Sequence, residues 1–288
     1  MEIAVVTGTS TGIGMATSLH LARHGYRVFA GMRNLAKAEP LRAAASEGGL
    51  PVEVIQFDVN DAGSVASAFA KVAQHGPVAV LVNNAGIGGA SPLELTPEAE
   101  HRLMFDTNYF GAIRCIQAVL PQMRERRSGS IVNITSIAGR IATPNQIAYS
   151  ASKWALECAG EALAHEVRRF GIRVVNVEPG VVMTSIFDNS SGATRYDKAS
   201  PYQSVMRRNG KLFAAGFRAP APVEDVAAAI LESITTDNYR LRWLVGKDAE
   251  GMGAGRPRIS DEDWVAMGEE LTDSQYNERF ERFFGVKL

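Results

Sequence analysis

The residues with the clearest chemical potential in this sequence are a tyrosine and the lysine four positions later, Tyr149 and Lys153. They open a segment with helical periodicity, so both side chains are expected on one helix face. A free phenol has a pKa of about 10, and lowering it by about three units requires roughly 4 kcal/mol of differential stabilisation. A neighbouring ammonium favours the phenolate. The pair predicts a tyrosine that acts as an acid or a base, although this spacing alone is more often an ordinary surface pair.

A serine extends this arrangement. Ser136 directly follows a predicted strand at 130–135, and its hydroxyl is expected to hydrogen-bond a substrate oxygen. The oxygen would then lie within reach of the Tyr149 phenol. The combination of the three residues carries the prediction of proton-transfer chemistry.

A glycine-rich turn lies between the first predicted strand and the first predicted helix. Glycine lets the backbone approach a pyrophosphate closely, and the helix N-terminus supplies N–H groups and a positive dipole end. The alternative is a tight connection without a ligand, but the position at the start of an α/β chain favours dinucleotide binding. The residues predicted to bind are Gly8, Thr9, Ser10, Thr11, Gly12, Ile13 and Gly14.

The end of the second predicted strand bears on the choice of dinucleotide. An acidic residue there would bind the ribose 2′-hydroxyl of NAD, whereas a basic residue accommodates the 2′-phosphate of NADP. Arg33 stands at this place, so NADP(H) is preferred and NAD(H) remains possible; the alternative is a solvated surface arginine. Asp58 and Val59, after the third strand, are expected at the adenine edge, although Asp58 could equally begin a turn as a cap.

The elements that must position these residues alternate between short β-branched runs and longer segments of helical period. The strand runs are mostly continuous in apolar residues, as in parallel strands that helices cover on both faces. We predict a single α/β Rossmann-fold domain with a doubly wound, seven-stranded parallel sheet. The predicted strands are 3–7, 27–31, 52–57, 78–83, 130–135, 172–178 and 241–245, with helices that begin near 12, 34, 61, 96, 149 and 223.

Two regions depart from this pattern. Residues 184–222 form a long stretch without clear period, which is typical of a lid or substrate-binding loop, or else of a disordered segment. After a Gly/Pro-rich turn, the tail at 251–288 carries two amphipathic aromatic segments with capping signatures at Ser260 and Thr272. We therefore divide the chain into a domain at 1–250 and a C-terminal helical extension at 251–288. The extension is expected to pack on the same domain, or alternatively on another subunit.

Composition excludes several functional classes. The chain has 288 residues, 30 Lys and Arg against 31 Asp and Glu, and no long block of one charge, so nucleic-acid and membrane partners are not expected. No run is long enough to span a bilayer, and the N-terminus lacks a signal-peptide core. The two cysteines, Cys115 and Cys158, have no metal-ligand spacing and are predicted to be buried free thiols. We predict a cytoplasmic protein without a metal site.

Several of these motifs stand in an order that resembles the short-chain dehydrogenase/reductase family. The resemblance rests on residues 7–14, Asn83-Asn84-Ala85-Gly86, Asn108, Ser136, Tyr149-x-x-x-Lys153 and Pro179-Gly180, and it covers about the first 250 residues. It implies a Rossmann fold, a nicotinamide cofactor and hydride transfer at a carbonyl or secondary alcohol. The length and the segment Gly31-Met32-Arg33-Asn34 are similar to the branch that contains hydroxysteroid and retinol dehydrogenases.

The resemblance also implies roles for individual residues. Asn108 would join Ser136, Tyr149 and Lys153 in a catalytic tetrad, where it holds a water that links Lys153 to a proton relay. Asn83 would brace the fourth strand, and the backbone of Asn84, Ala85 and Gly86 would flank the cofactor ribose, which Lys153 binds. The segment against the nicotinamide would comprise Pro179, Gly180, Val182 and Thr184. NADP-preferring members often carry a basic residue at the position of Thr11, so Arg33 would have to discriminate alone.

These observations predict an NADP(H)-dependent oxidoreductase that acts on a lipophilic ketone or aldehyde or on the corresponding alcohol. The alternatives are an NAD-dependent alcohol or steroid dehydrogenase and a catalytically silent NADP-binding regulatory protein. The pocket walls are expected from 87–93, 138–146 and 186–217, the last with Phe187, Tyr196, Tyr202, Met206, Leu212, Phe213 and Phe217. The long helices near 96 and 149 resemble those through which family members form homodimers or homotetramers.

Overall fold

The protein is described here from a computed structural model, which covers residues 1–184 and 195–288. Its sheet contains β1 (Ile3–Thr7), β2 (Arg27–Met32), β3 (Val52–Gln56), β4 (Val78–Asn83), β5 (Gly129–Ile134), β6 (Ile172–Pro179) and β7 (Arg242–Val245). All neighbours pair in parallel in the order β3-β2-β1-β4-β5-β6-β7. The predicted seven-stranded doubly wound sheet is confirmed. The order of strands reverses beside β1, and in such sheets ligands bind in the crevice at the carboxyl ends of the strands there.

Helices connect successive strands and cover both faces of the sheet. They are α1 (Gly12–Arg23), α2 (Glu39–Glu47), α3 (Ala62–Ala73), α4 (Glu98–Phe105), α5 (Gly111–Arg126), α6 (Ile147–Val167), α7 (Gln203–Arg218), α8 (Val223–Thr235), α9 (Lys247–Gly255), α10 (Asp261–Val265) and α11 (Asp273–Phe284). A π-helical segment, Asp106–Phe110, joins α4 to α5. Helices α3, α5 and α6 pack against one face of the sheet, and α1 and α8 pack against the other.

The central strand β1 shows why the strand runs are continuous in apolar residues. Its side chains alternate between the two faces, so Ile3 and Val5 join the core under α3 and α5, whereas Ala4 and Val6 join the core under α1 and α8. All five residues of β1 are buried. A strand that contributes to two cores has no solvent face on which polar residues could alternate.

The stretch at 184–222, predicted to lack regular structure, contains the sixteen-residue helix α7. Its inward face carries Met206 but also the buried polar residues Arg208 and Asn209. These two polar residues interrupt the apolar stripe of Met206, Leu212 and Phe213, so the helical period is hard to recognise from the sequence. Phe187 and the rest of 185–194 lie outside the described residues.

The tail consists of helices that pack on the body of the protein. Its two capping signatures form as predicted: Ser260 accepts from the backbone N–H of Asp263, and Thr272 and Gln275 form a capping box at α11. The predicted turn after Gly251 is instead the second half of α9, so the division at 250–251 falls inside a helix. The aromatic residues of α11 lie in a cluster with Met252, Ile137 and Ile141.

The cysteine prediction is half right. Cys115 is buried, and burial raises the pKa of its thiol to about 12. Cys158 lies on the exposed side of α6, so its predicted burial is wrong. Within 1–184 and 195–288 no cluster of potential ligands could hold a metal ion. The helices in that same part of the chain are too short or too polar to cross a bilayer.

Candidate active site

A cavity of about 1080 Å³ opens at the carboxyl ends of the central strands. Its volume slightly exceeds the range of about 300–1,000 Å³ that is usual for one ligand. The predicted site residues that line it are Gly8, Ser10, Thr11, Gly12, Ile13, Arg33, Asp58, Val59, Asn84, Ala85, Gly86, Ser136, Tyr149, Lys153, Pro179, Gly180, Val182 and Thr184. The structure thus brings the glycine turn and the Tyr149 group into one cavity.

Three predicted residues support the wall from behind. Thr9 is fully buried and bonds the carbonyl of Gly31 through both its N–H and its hydroxyl. Gly14 lies beneath the turn, and Asn108 is buried in the π-helical segment. None of these three residues lines the cavity directly.

The glycine turn provides a cradle that side chains would fill. Gly8 and Gly12 have φ values of +70° and +58°, which belong to the left-handed region that favours glycine. A Cβ on Gly8 would lie 2.7 Å from the Cα of Ala85, and one on Gly12 would lie 2.9 Å from the Cγ2 of Thr184. The first turn of α1 contains no acidic residue, so its N–H groups and positive dipole end face the cavity without a competing carboxylate. These features fit the pyrophosphate of a dinucleotide.

The end of β4 fixes this turn. The side-chain amide of Asn84 donates to the carbonyls of Thr7 at 2.8 Å and Gly8 at 3.0 Å. In return, the Thr7 hydroxyl accepts from the backbone N–H groups of Asn84 and Ala85, both at 3.0 Å. The Asn84 side chain therefore has a positioning contact that the sequence analysis, which considered its backbone, did not identify.

Tyr149 is the third residue of α6 and lies against the end of β5, where Ser136 follows the strand. The hydroxyl of Ser136 also lies 3.5 Å from the carbonyl of Pro179, so this serine connects the tyrosine to the loop after β6. Burial raises the pKa of the Tyr149 phenol, and its hydrogen bond with Ser136 partly opposes the rise. In the protein by itself the phenol therefore keeps its proton at neutral pH, and the predicted lowering of its pKa by Lys153 together with the positive nicotinamide ring of a bound cofactor stays a prediction.

Lys153 lies one turn further along α6 and is buried. Its Nζ donates to the carbonyl of Ile134 at 2.9 Å and lies 5.9 Å from the centre of the Tyr149 ring. Burial lowers the pKa of Lys153 to about 8, against the opposing influence of the Glu157 carboxylate. The ammonium is held beside the phenol, but not in a direct bond with it.

Asn108 connects the β4 loop to α6. Its amide donates to the carbonyl of Ile87 at 3.0 Å and to the Ser152 hydroxyl at 2.9 Å, and its Oδ1 accepts from the Ile87 N–H at 2.9 Å. A Cβ on Gly86 would lie 3.3 Å from this Oδ1 and 3.5 Å from the Lys153 Nζ. The missing side chain of Gly86 thus leaves the space between Asn108 and Lys153 open. The predicted water relay through Asn108 stays a prediction.

The far end of the cavity carries two cations. Arg33 lines it as predicted, and Lys37, which the sequence analysis missed, lines it as well. Both side chains are exposed, and neither forms a salt bridge within the described residues. Lys37 follows Arg33 by four residues, in a 3-10 turn that the side chain of Asn34 caps. Asp58 faces the same end and also accepts from the N–H of Asn60 at 3.0 Å, so it begins a turn as well.

The opposite end of the cavity is largely apolar. Of the predicted walls, residues 87–90, Ala138, Ile141, Thr143, Gln146, Leu212 and Phe213 line it, whereas Tyr196, Tyr202, Met206 and Phe217 do not. Leu103, Met104, Ile137, Asp248 and Met252 line it without having been predicted. Met252 belongs to α9, whose glycines made it resemble a turn in the sequence.

A buried polar network lies below the end of the cavity that contains Tyr149 and Lys153. Amide side chains of Asn83, Asn133 and Asn176 bond in series across β4, β5 and β6 and reach Glu157 on α6. Asn83 therefore braces β4 as the resemblance implied. Glu178 lies within the same network near Arg140 and Arg242, and burial together with the Glu157 carboxylate raises its pKa.

Comparisons with known proteins give a consistent result. A family model described as short chain dehydrogenase matches residues 2–194. The chain is 35% identical to 3-ketodihydrosphingosine reductase of Bacteroides thetaiotaomicron over 246 residues, which cover 85% of this chain and 88% of that protein. It is 44% identical to human retinol dehydrogenase 8 over 184 residues, which cover 62% of this chain and 58% of the relative.

Solved structures extend the similarity to the fold. The structure of a short-chain dehydrogenase from Streptomyces avermitilis matches with a TM-score of 0.80 and 35% identity, and covers 93% of this chain and 98% of that one. Among other solved structures with the same fold, several contain NADP, NADPH or 5-hydroxy-NADP.

Proposed function

The chain belongs to the short-chain dehydrogenase family, and we propose that it reduces a lipophilic ketone or aldehyde to the alcohol with NADPH as reductant. Membership confirms the resemblance read from the motifs and makes the protein an oxidoreductase of CH–OH and C=O groups. The observation that carries the proposal is the group of Ser136, Tyr149 and Lys153 in the same cavity as the glycine turn. The catalytic roles below are part of the proposal.

The protonation state of Tyr149 favours reduction. Reduction of a carbonyl requires a proton donor at the oxygen, and a phenol whose pKa burial has raised stays protonated at neutral pH. The Tyr149 hydroxyl gives its proton to the substrate oxygen, while the Ser136 hydroxyl donates a hydrogen bond that positions that oxygen. The Lys153 ammonium stabilises the phenolate that Tyr149 becomes. A bound reduced nicotinamide supplies the hydride to the carbonyl carbon.

The residues that would hold the dinucleotide follow from the cavity. The glycine turn and the first N–H groups of α1 would bind the pyrophosphate, and Asn84, Ala85, Gly86 and Lys153 line the path toward the reactive end. Arg33 and Lys37 supply two exposed cations for a 2′-phosphate, which supports NADP over NAD. Lys37 provides the second positive charge that Thr11 does not.

The proposed substrate class is inferred from the residues at the apolar end of the cavity. Leu103, Ile137, Ile141, Leu212 and Met252 form a wall that offers dispersion contacts to an apolar molecule. The named activities of the two relatives above, which concern 3-ketodihydrosphingosine and retinol, also belong to lipophilic compounds. A lipophilic carbonyl compound is therefore the proposed substrate.

The decisive experiment is Tyr149→Phe, which removes the proton donor and keeps the ring. We expect NADPH-dependent reduction of an accepted ketone to fall by about 10²–10⁴-fold, the usual contribution of a general acid. The NADPH dissociation constant should stay within twofold. Tyr239→Phe is the matched control because its hydroxyl bonds the Val174 carbonyl, away from the cavity. Near wild-type turnover in Tyr149→Phe would refute the proposed role.

The silent regulatory protein is the main rival function. It predicts NADPH binding without oxidation of the cofactor across a panel of ketones, aldehydes and steroids. Turnover of any one of these carbonyl compounds that depends on Tyr149 excludes it.

Cofactor choice is tested at the two cations. We expect Arg33→Ala and Lys37→Ala each to weaken NADPH binding by about 10- to 150-fold, since a charge-assisted phosphate contact contributes about 1.5–3 kcal/mol. NADH binding should change less than twofold. Equal losses for both cofactors, or wild-type binding of NADH tighter than NADPH, would contradict the NADP preference and favour the NAD-dependent dehydrogenase.

Homo-oligomerisation is proposed from exposed apolar side chains on the helices named in the sequence analysis. Leu103 on α4, Phe110 before α5, and Ile147 and Trp154 on α6 are each about half exposed. Apolar residues exposed together on neighbouring elements are typical of protein interfaces. A sedimentation experiment that finds a monomer at micromolar concentration would contradict this part of the proposal.

A further inference from the structure

The C-terminal tail forms part of the outer wall of the substrate end. Ile137, Ile141 and Met252 line the cavity with one part of their surface and pack in the same cluster as Tyr276 and Phe280 of α11 with another. Phe280 is 1% exposed, so α11 is an integral part of the packing. A displacement of α11 would therefore remove the support behind the cavity wall.

Helix α7 connects the tail to the cavity from the other side. It contributes Leu212 and Phe213 to the cavity lining. Its Asn209 amide donates to the carbonyl of Pro144 at 2.8 Å, which ties α7 to the wall segment before α6. The lining residues of α7 thus depend on contacts made by its polar residues.

A further contact, made by Arg208 of α7, reaches the tail. The Arg208 side chain is buried, with the residue only 6% exposed. Its guanidinium donates to the carbonyl of Leu271 at 2.6 Å and lies over the Tyr276 ring, 4.6 Å from the ring centre. We call this contact of Arg208 with Leu271 and Tyr276 the clasp. A buried cation that loses its partners is costly, so the clasp holds α7 and α11 in one relative position.

Two exposed ion pairs flank the clasp. Arg207 and Lys211 of α7 both bond the carboxylate of Asp273 in the first turn of α11, and the Lys211 contact is 2.7 Å. The three side chains are each about one third exposed, so screening leaves these pairs a small contribution. They align the two helices, while the buried clasp provides most of the connection.

We propose that the clasp makes the C-terminal tail a specificity element, which fixes α7 so that Leu212 and Phe213 close the cavity around bulky apolar substrates. The inference rests on the proposed carbonyl reduction. A long-chain ketone would contact the α7 wall and depend on its position, whereas a short ketone would occupy only the space near Tyr149. Arg208 and Tyr276 are positioning residues in this scheme, because they act through α7.

The test uses Arg208→Met and Tyr276→Leu, alone and together, with 2-undecanone and 2-butanone as substrates. We expect KM for 2-undecanone to rise about tenfold in each single variant, with KM for 2-butanone and the NADPH dissociation constant within twofold. Because both changes remove the same contact, the double variant should lose little more than Arg208→Met. Arg168→Met is the matched control, since Arg168 lies over the Tyr239 ring at 4.9 Å near the amino ends of β6 and β7, whereas the cavity lies at the carboxyl ends of the strands.

Hydrogen exchange supplies a readout that does not need turnover. Amides at 203–218 should exchange at least fivefold faster in the clasp variants than in the wild type. In Arg168→Met their exchange rates should be unchanged. Unchanged exchange in this helix, or equal KM increases for both ketones, overturns the clasp proposal. If Arg208→Met fails to fold, Tyr276→Leu decides it by the same two readouts, and Tyr276→Phe, which keeps the ring beneath the guanidinium, should retain the wild-type values. A wild-type protein that reduces no ketone at all refutes the proposed function instead, and the exchange rates still decide whether the clasp holds α7.

Discussion

The two ends of the cavity are built in different ways. At the dinucleotide end, backbone meets backbone: Gly14 lies so close to the Gly8 carbonyl that an added Cβ would stand 2.3 Å from its oxygen. At the substrate end, side chains from α7 and the tail meet across a sequence separation of more than sixty residues, as between Arg208 and Tyr276. The dinucleotide end requires glycine, because no side chain fits there, whereas the substrate end depends on the identity of its side chains.

This difference predicts different tolerance to change. At Gly8 and Gly14 the nearest atoms belong to the backbone, which cannot move aside as a side chain can, so an added methyl group must displace a strand or a helix. Side-chain contacts at the substrate end can be exchanged for others while the helices stay in place. The dinucleotide end should therefore tolerate few substitutions, whereas a few substitutions can change the shape of the substrate end.

Of the tests that compare the two ends, the largest effect is expected for a methyl group at the dinucleotide end. In Gly14→Ala the new Cβ would meet the Gly8 oxygen at 2.3 Å and the Asn84 amide nitrogen at 2.5 Å. Overpacking of this kind costs about 1–3 kcal/mol. If that cost falls on the turn, NADPH binding should weaken by about 10- to 100-fold, as measured by fluorescence titration.

The control for this experiment is Gly268→Ala. A Cβ at Gly268 has no atom within 4 Å, and the residue lies in an exposed part of the tail. We expect its NADPH affinity to equal that of the wild type. Wild-type affinity in Gly14→Ala would show that the turn tolerates expansion and that the contrast between the two ends is wrong.

The next prediction concerns Lys153, which lies between the two ends of the cavity. Its pKa is lowered to about 8 by burial, so the ammonium loses its proton as the pH rises through 8. The Tyr149 phenol, whose pKa burial raises, stays protonated over the same range. We expect kcat/KM for ketone reduction, which reports the free enzyme, to be constant near pH 7 and to fall toward tenfold per pH unit above about 8.

Lys153→Met identifies the titrating group. Its residual rate should be much lower and should no longer change around pH 8, since the ammonium is gone at every pH. A wild-type profile that stays level to pH 9.5, or a Lys153→Met profile that keeps the same inflection, would show that another group controls the alkaline limb.

The same contrast explains which features the sequence could predict. Parallel strands buried on both faces have continuous apolar runs, and a turn that approaches a phosphate requires glycine, so β1 and residues 7–14 were recognisable from local sequence. Ser136 could be placed because it directly follows a strand that the pattern located. These features depend on a few neighbouring residues and on rules that hold for any chain.

The substrate end could not be predicted in this way. Helix α7 presents Arg208 and Asn209 on its buried side, and their partners, Leu271 and Pro144, lie more than sixty residues away. Lys37 was missed because it lines the cavity from a 3-10 turn, which the helical pattern of the sequence does not predict. The raised pKa of Tyr149 depends on how deeply the phenol is enclosed, which residue spacing does not report.

The smallest expected effect tests the tolerance of the substrate end with the same Gly-to-Ala change. Gly210 lies inside α7, and a Cβ there has no atom within 4 Å. Alanine favours a helix over glycine by about 0.5–1 kcal/mol, so Gly210→Ala should raise the melting temperature by about 1–4 °C and leave KM for 2-undecanone unchanged. Gly216→Ala in the same helix is the contrasting control, because its Cβ would meet Val181 Cγ2 at 2.4 Å, and Val181 lines the cavity. A lower melting temperature in Gly210→Ala would mean that α7 is constrained as tightly as the glycine turn, and the difference between the two ends would then disappear.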